Sequence, residues 1–247
     1  MEEGKSTVRA VDRALDILLC FTEKTDWAMM EIAERTGLHK STVHRMLATL
    51  EEKGFIERDK NTERYHLGLK VWELSANLSR TDDQATIWLP EMVRLRDLLG
   101  ETVSIYVRDG SERIRIQAVQ SNHPVRRVAP VGVRLPLYAG ASSKVLVAYA
   151  DNLVQESIMN SHQWASAMDM ELYRSQLQDT LKKGYATSFE ERETGVAAIS
   201  SPIFDRAGVL AAALSVSGPA SRLTLDKMEQ YAPVMMEAAR VMSTMVR

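Results

Sequence analysis

Residues 29–54 read MMEIAERTGLHKSTVHRMLATLEEKG, two helical patterns broken by one glycine. Met29, Ile32 and Ala33 recur on one face of the first pattern, and Val43, Met46, Leu47 and Leu50 on one face of the second, the spacing that turns an apolar stripe toward a shared core. Gly37 stands where the first helix must stop, because glycine accepts the left-handed backbone that closes a helix. The second pattern restarts almost at once, so the spacing predicts a helix-turn-helix corner.

The polar side of the second helix carries Lys40, Ser41, Thr42, His44 and Arg45, with no carboxylate from His39 to Leu50. A helix entering a DNA major groove presents its N-terminal turns to base edges and phosphates, which calls for short hydroxyls and for cations. Ordinary capping and solubilising residues use the same side chains; the corner and the missing acids favour DNA. Residues 55–70, FIERDKNTERYHLGLK, predict a hairpin: a strand over 55–58, a polar turn over 60–63, and Tyr65, Leu67 and Leu69 alternating on the return. Such a hairpin is a wing, from which Lys60 and Arg64 reach phosphates while Asp59 and Glu63 weaken its positive charge.

Working outward, 247 residues with 45% apolar content suggest two cores rather than one. The net charge of -2 excludes a generally basic nucleic-acid binder, and residues 1–80 alone are nearly balanced. Affinity for DNA therefore rests on where the cations stand. No apolar run approaches the roughly eighteen residues of a membrane span, and the polar start is unlike a signal peptide, so a soluble, cytoplasmic chain with no membrane partner is expected. The single cysteine, Cys20, lies among apolar helix residues and reads as core.

The expected order begins with a mobile arm over 1–8. A first helix follows over 11–22, with Val11, Ala14, Leu15, Leu18, Leu19 and Phe21 as its apolar side. The winged helix-turn-helix domain occupies 1–68 and a linker helix 69–83, whose Val71, Trp72 and Leu78 are too apolar for a free connector and are candidates for dimerisation. Residues 84–247 form the second domain. It opens with a helix over 87–99 using Leu89, Met92, Val93, Leu95 and Leu98, and continues with a hairpin about Asp109-Gly110. Strands at 202–205 and 209–218 and helices over 151–161, 171–183 and 225–245 complete it. Antiparallel strands interleaved with helices give an α+β fold class. At LPLYAGASSKVLVAY (135–149) alternation changes to a helical pattern, and small residues at that helix start leave N–H groups open to a carboxylate. Lys144 there faces solvent or pairs with an acid.

These segments together resemble the isocitrate lyase regulator (IclR) family. The likeness is carried by VDRALDILLCF, by the helix-turn-helix run with its KSTVHR, and by RYHLGLKVWEL. It continues through LPLYAGASSKVLVAY, GYATSFEERETGVAAISSPIFD and LAAALSVSGP, so it spans nearly the whole chain. It implies a bacterial transcription regulator, repressor or activator, with a winged helix-turn-helix domain, a linker helix and a GAF-like effector-binding domain. It also implies a homodimer or tetramer on a pseudo-palindromic double-stranded DNA operator. The family's organic-acid effectors are held by backbone amides at positions matching Ala141 and Ser142 and by serines matching Ser215 and Ser217. Two positions depart from the family's pattern: Ser188 replaces an acidic residue and Ala198 a cysteine. A less polar, slightly larger pocket is therefore expected, for a bulkier aromatic or sugar-derived acid.

Glu190 and Glu191 invite a catalytic reading, but no histidine is near in sequence. The ERE run at 191–193 reads as solvated and Glu190 as a loop anchor. The histidines, at 39, 44, 66, 123 and 162, lack metal-ligand spacing. No catalytic residue, metal ligand or cofactor is expected. Two other readings remain: a winged helix serving as a protein-interaction module, and an enzyme with a regulatory head.

Overall fold

A computed structural model describes residues 7–82, 84–128, 130–160 and 169–246, and for 77–82 the backbone only. The arm over 1–6, the Leu78 side chain, Ser161 and His162 lie outside the described residues. The chain forms two compact units that divide between residues 83 and 84.

In the first unit, α1 (Arg9–Cys20), β1 (Asp26–Trp27), α2 (Met29–Thr36) and α3 (Lys40–Glu52) precede the hairpin β2 (Ile56–Arg58) and β3 (Tyr65–Leu67) and the linker helix α4 (Leu69–Asp82). Gly37 ends α2 in the left-handed conformation, φ 67°, as the corner requires. Ile17, Ile32, Val43, Leu47 and Ile56 have no exposure and form the core with Trp27 and Tyr65. The wing is a three-stranded sheet, β1-β3-β2, because Trp27 pairs with Tyr65. Trp27 also donates through Nε1 to the Cys20 carbonyl, at 3.0 Å. Gly68 closes the wing: its N–H donates to the Phe55 carbonyl, and a Cβ there would collide with the Gly54 carbonyl oxygen.

Two apolar assignments change. In α1 the buried side runs through Ile17 and Cys20 to Phe21, while Val11, Leu15 and Leu19 are exposed. On the return strand only Tyr65 is buried; Leu67 is partly exposed and Leu69 opens α4 in solvent.

Glu31 ties this unit together. Its carboxylate accepts from Lys24, from the Ala28 N–H and from Arg64, each at 2.7 Å. The Lys24 hydrogen bond first, and then the Ala28 N–H, hold its pKa down to about 2. A folded-state pKa below the unfolded one, about 4.3, contributes stability that is full above the unfolded value and is lost as pH falls toward the folded one. The melting temperature of the first unit should therefore drop between about pH 5 and 2. Circular dichroism melts should show a shallower drop for Glu31→Gln.

In the second unit, α5 (Gln84–Ile87) and α6 (Leu89–Leu99) replace the single expected helix. Met92 and Leu95 are buried as expected, but at the two ends Trp88 and Leu99 are buried in place of Leu89 and Leu98, which are exposed. Trp88 is held inside by donating to the Met242 carbonyl at 3.0 Å. There follow β4 (Thr102–Asp109), β5 (Glu112–Val119), β6 (Arg134–Pro136), α7 (Ala141–Ala148), α8 (Asn152–Met159), α9 (Met170–Lys183), β7 (Ala186–Phe189), β8 (Val196–Phe204), β9 (Leu210–Pro219) and α10 (Leu225–Thr244). The six strands form one antiparallel sheet, ordered β6-β5-β4-β9-β8-β7. The fold class is α+β, with α6 and α10 on one sheet face and α7 to α9 on the other. The β4–β5 hairpin turns at Gly110 and Ser111, closed by Asp109 opposite Glu112.

Among the described residues no helix is long and apolar enough to cross a membrane.

Candidate functional site

The helix α3 starts from His39, whose ring Nδ1 lies 3.3 Å from the Ser41 N–H and 2.8 Å from its hydroxyl. Burying Val43, Leu47 and Leu50 fixes which residues face out: Lys40, Ser41, His44 and Arg45 are exposed, and Thr42 is half-buried. No acid lies in the first turn, so the helix dipole and the cations act together on any phosphate placed there.

The wing contributes less cation than its sequence suggests. Arg64 is committed within the unit, to Asp26 and Glu31, so its guanidinium is an internal strut rather than an open phosphate contact. Arg58 pairs with Glu63. Asp59 accepts from the N–H groups of Thr62 and Asn61, which lower its pKa and shape the turn that leaves Lys60 exposed at the tip.

In the second unit Ala141, Ser142, Ser188, Ala198, Ser215 and Ser217 all line one cavity of about 50 Å³. Sheet register brings the distant ones together: Ala198 pairs with both Ser188 and Ser217, so β7, β8 and β9 present them side by side. The floor is the start of α7, where Gly140, at φ 105°, makes no side-chain cap.

The loop after β7 is built rather than solvated. Lys144, only 4% exposed, pairs with Glu191 and donates to the Thr187 carbonyl at 2.9 Å. Glu191 also accepts the Gly140 N–H at 3.2 Å, which fixes the lip of the cavity. Glu190 anchors the loop by accepting the Gly195 N–H at 2.6 Å.

The cavity is also more cationic than the sequence suggests. Arg113, Arg115, Arg127 and Arg192 line it with Tyr106, so replacing a family carboxylate and thiol by Ser188 and Ala198 does not leave an apolar pocket. Nor is the pocket large. Register decides where the β5 arginines point. A β-bulge at Ile105/Tyr106 shifts the β4–β5 pairing, from Ile105 opposite Gln117 to Tyr106 opposite Arg115. A one-residue slip exchanges the faces of a strand. Val119 therefore joins the core, while Arg113 and Arg115 turn to the cavity beside Tyr106. The break in spacing between Ile114, Ile116 and Val119 is the signal of this in the sequence.

Both arginines are 3% exposed. Arg115 donates to the Tyr106 hydroxyl through Nε at 2.9 Å and to the Pro130 carbonyl at 3.1 Å, and Arg113 to the Ala139 carbonyl at 2.9 Å. Burial lowers the Arg113 pKa to about 10, still protonated at neutral pH. Burial first, and then Arg127, lower that of Arg192.

Among the described residues no three metal-ligating side chains gather.

The IclR helix-turn-helix domain matches residues 10–60, and the bacterial transcriptional regulator IclR C-terminal domain matches 78–244. The HTH-type transcriptional regulator BhcR of Paracoccus denitrificans is 32% identical, over 98% of this chain and 88% of its own length. The HTH-type transcriptional repressor AllR of Klebsiella pneumoniae is 32% identical, over 96% and 89%. Among solved structures, an IclR homologue of Microbacterium hydrocarbonoxydans complexed with 4-hydroxybenzoate superposes with a TM-score of 0.84 at 25% identity, covering 95% of this chain and 98% of that one. With both family domains in order along nearly its full length, the chain belongs to the IclR family of DNA-binding bacterial transcription regulators.

Proposed function

We propose that the protein is a ligand-responsive repressor that binds a two-fold-related operator as a dimer and changes its DNA affinity when a small organic acid occupies the cavity beside α7. The observation that carries the reading is the acid-free exposed start of α3, set on a helix-turn-helix corner. Lys40, Ser41, Thr42, His44 and Arg45 face the DNA, and a dimer places two such helices in successive major grooves. That AllR is named a repressor supports the sign, and the 4-hydroxybenzoate complex supports an acid as effector class. An effector shifts DNA affinity only by binding the two conformations unequally.

Apolar surface on the first unit supports the dimer. Val8, Val11, Leu15 and Leu19 are exposed along α1, and Leu69 and Trp72 on α4, with Trp72 at 74%. Surfaces of this kind mark interfaces; Val71, the other described candidate on α4, is half-buried. Trp72→Glu is expected to shift the chain toward monomer by at least tenfold in dissociation constant, since a desolvated aromatic anchor is worth about 2 kcal/mol or more. Sedimentation equilibrium reads this directly, and an unchanged assembly would place the interface elsewhere.

The test of function is selection of bound duplexes from a random DNA pool, wild type beside Arg45→Ala, at fixed salt because phosphate contacts weaken steeply with ionic strength. Enrichment of a palindrome by the wild type alone is expected. Failure of the folded wild type to enrich any sequence, with and without added acids, would sink the proposal.

A further inference from the structure

The effector cavity holds more buried positive charge than its own residues neutralise. Glu193 pairs with Arg127 at 2.6 Å and lies 3.6 Å from Arg192. Glu191 is spent on Lys144 and on the Gly140 N–H. Arg113 and Arg115 meet only neutral acceptors among the described residues: the Ala139 and Pro130 carbonyls and the Tyr106 hydroxyl. The Arg113 Nε has no hydrogen-bond partner at all among them. A buried cation without a counter-charge costs free energy that an incoming anion recovers.

A second positive pole stands beside these two guanidinium groups. The first turn of α7 offers the Ala141 and Ser142 N–H groups at an N-terminus with no side-chain cap, a place for one carboxylate. The poles are adjacent: a Cβ on Gly140 would sit 3.0 Å from the Arg113 Nη2. A monocarboxylate serves one pole and leaves the other uncompensated. A ligand with two acidic groups serves both, and the adjacency of the poles requires those groups to be close.

We propose that this regulator's effector is a compact dicarboxylate, one carboxylate held at the start of α7 and the other by Arg113 and Arg115. This rests on the cavity being the effector site. It assigns Arg113 and Arg115 as the residues that select two acidic groups over one, through planar guanidinium donors suited to carboxylate oxygens.

The test is calorimetric titration of the full chain at about pH 7.5, where both carboxylates are ionised. Oxalate, malonate and succinate are compared with acetate, propionate and 4-hydroxybenzoate. At least one dicarboxylate is expected to bind about tenfold or more tighter than every monocarboxylate, the range of a charge-assisted contact. Arg115→Gln is expected to abolish that preference, with dicarboxylate affinity falling about tenfold or more toward that of the monocarboxylates. Arg113→Gln repeats the test should Arg115→Gln fail to fold. Monocarboxylates binding as tightly as dicarboxylates, or 4-hydroxybenzoate binding tightest, would overturn the dianion and leave the effector site standing. A dicarboxylate preference that survives both substitutions would overturn the assignment to these arginines. Binding of no acid of either kind would overturn the effector site as well.

Discussion

Arg45→Ala is expected to weaken binding to the selected operator by at least about thirtyfold with the fold intact. Arg45 is exposed on α3, and among the described residues its side chain makes no ion pair, so its removal leaves no buried partner stranded. A lost arginine contact to a base is worth about 1–3 kcal/mol, and a two-fold dimer loses it twice. The sum, about 2–6 kcal/mol, spans roughly thirtyfold to more than a thousandfold at 1.4 kcal/mol per factor of ten. Fluorescence anisotropy across a salt series separates two modes of contact. Loss of a phosphate contact lowers the salt slope by about one per subunit on every sequence, whereas loss of a base contact falls mainly on one operator position. Arg64→Ala should behave differently: its ion pairs with Asp26 and Glu31 make lowered stability of the first unit the primary effect.

Lys144→Ala is expected to destabilise the second unit by about 3–5 kcal/mol, near the low end, because it leaves the Glu191 carboxylate without its counter-charge. The Lys144 side chain is 5% exposed and that of Glu191 22%, so water replaces little of the lost interaction. The double variant Lys144→Met/Glu191→Gln should recover most of the loss, since two neutral side chains of similar size strand no charge. Urea unfolding of the full chain, single and double variants together, checks both statements. A single variant within about 1 kcal/mol of wild type would mean that Glu191 turns out to solvent. Because Glu191 also accepts the Gly140 N–H, the single variant should loosen the start of α7 and weaken acid binding there.

Local chemistry made the first unit legible. Gly37, the two apolar stripes and the acid-free run from His39 to Leu50 act within a helical turn or two, and α2, α3 and the hairpin fall where those signals put them. Short strands set apart from their partners carried no such signal. β1 and β6 are two and three residues long and, unlike the equally short β2 and β3, have no short polar turn joining them to their partners, so they exist only because a strand elsewhere in the chain offers its edge. The faces of α1 show a second limit. Its periodicity displays apolar residues on two sides, and contact with α2 and α3 buries Ile17 and Cys20 while Leu15 and Leu19 stay out. At the start of α6 the buried residue was set by a hydrogen bond from Trp88 to a carbonyl 154 residues away.

The candidate cavity divides along the same line. Its helix start, AGASSK, is visible in the sequence because small residues before an apolar helix leave N–H groups open, and family resemblance supplied the serines of β9. Its charge was not visible. Arg113 and Arg115 sit in an alternating strand, and the bulge where Tyr106 meets Arg115 in the β4–β5 pairing turns them inward, its one trace in the sequence being the broken spacing after Ile116. The sequence by itself determined the winged helix-turn-helix, the α+β class and the polar start of α7, all of which follow from contacts a few residues apart. Only the tertiary structure decided that Arg64 is a strut and that the cavity is small and cationic, because strand register and ion-pair partners are set by residues far apart in the chain.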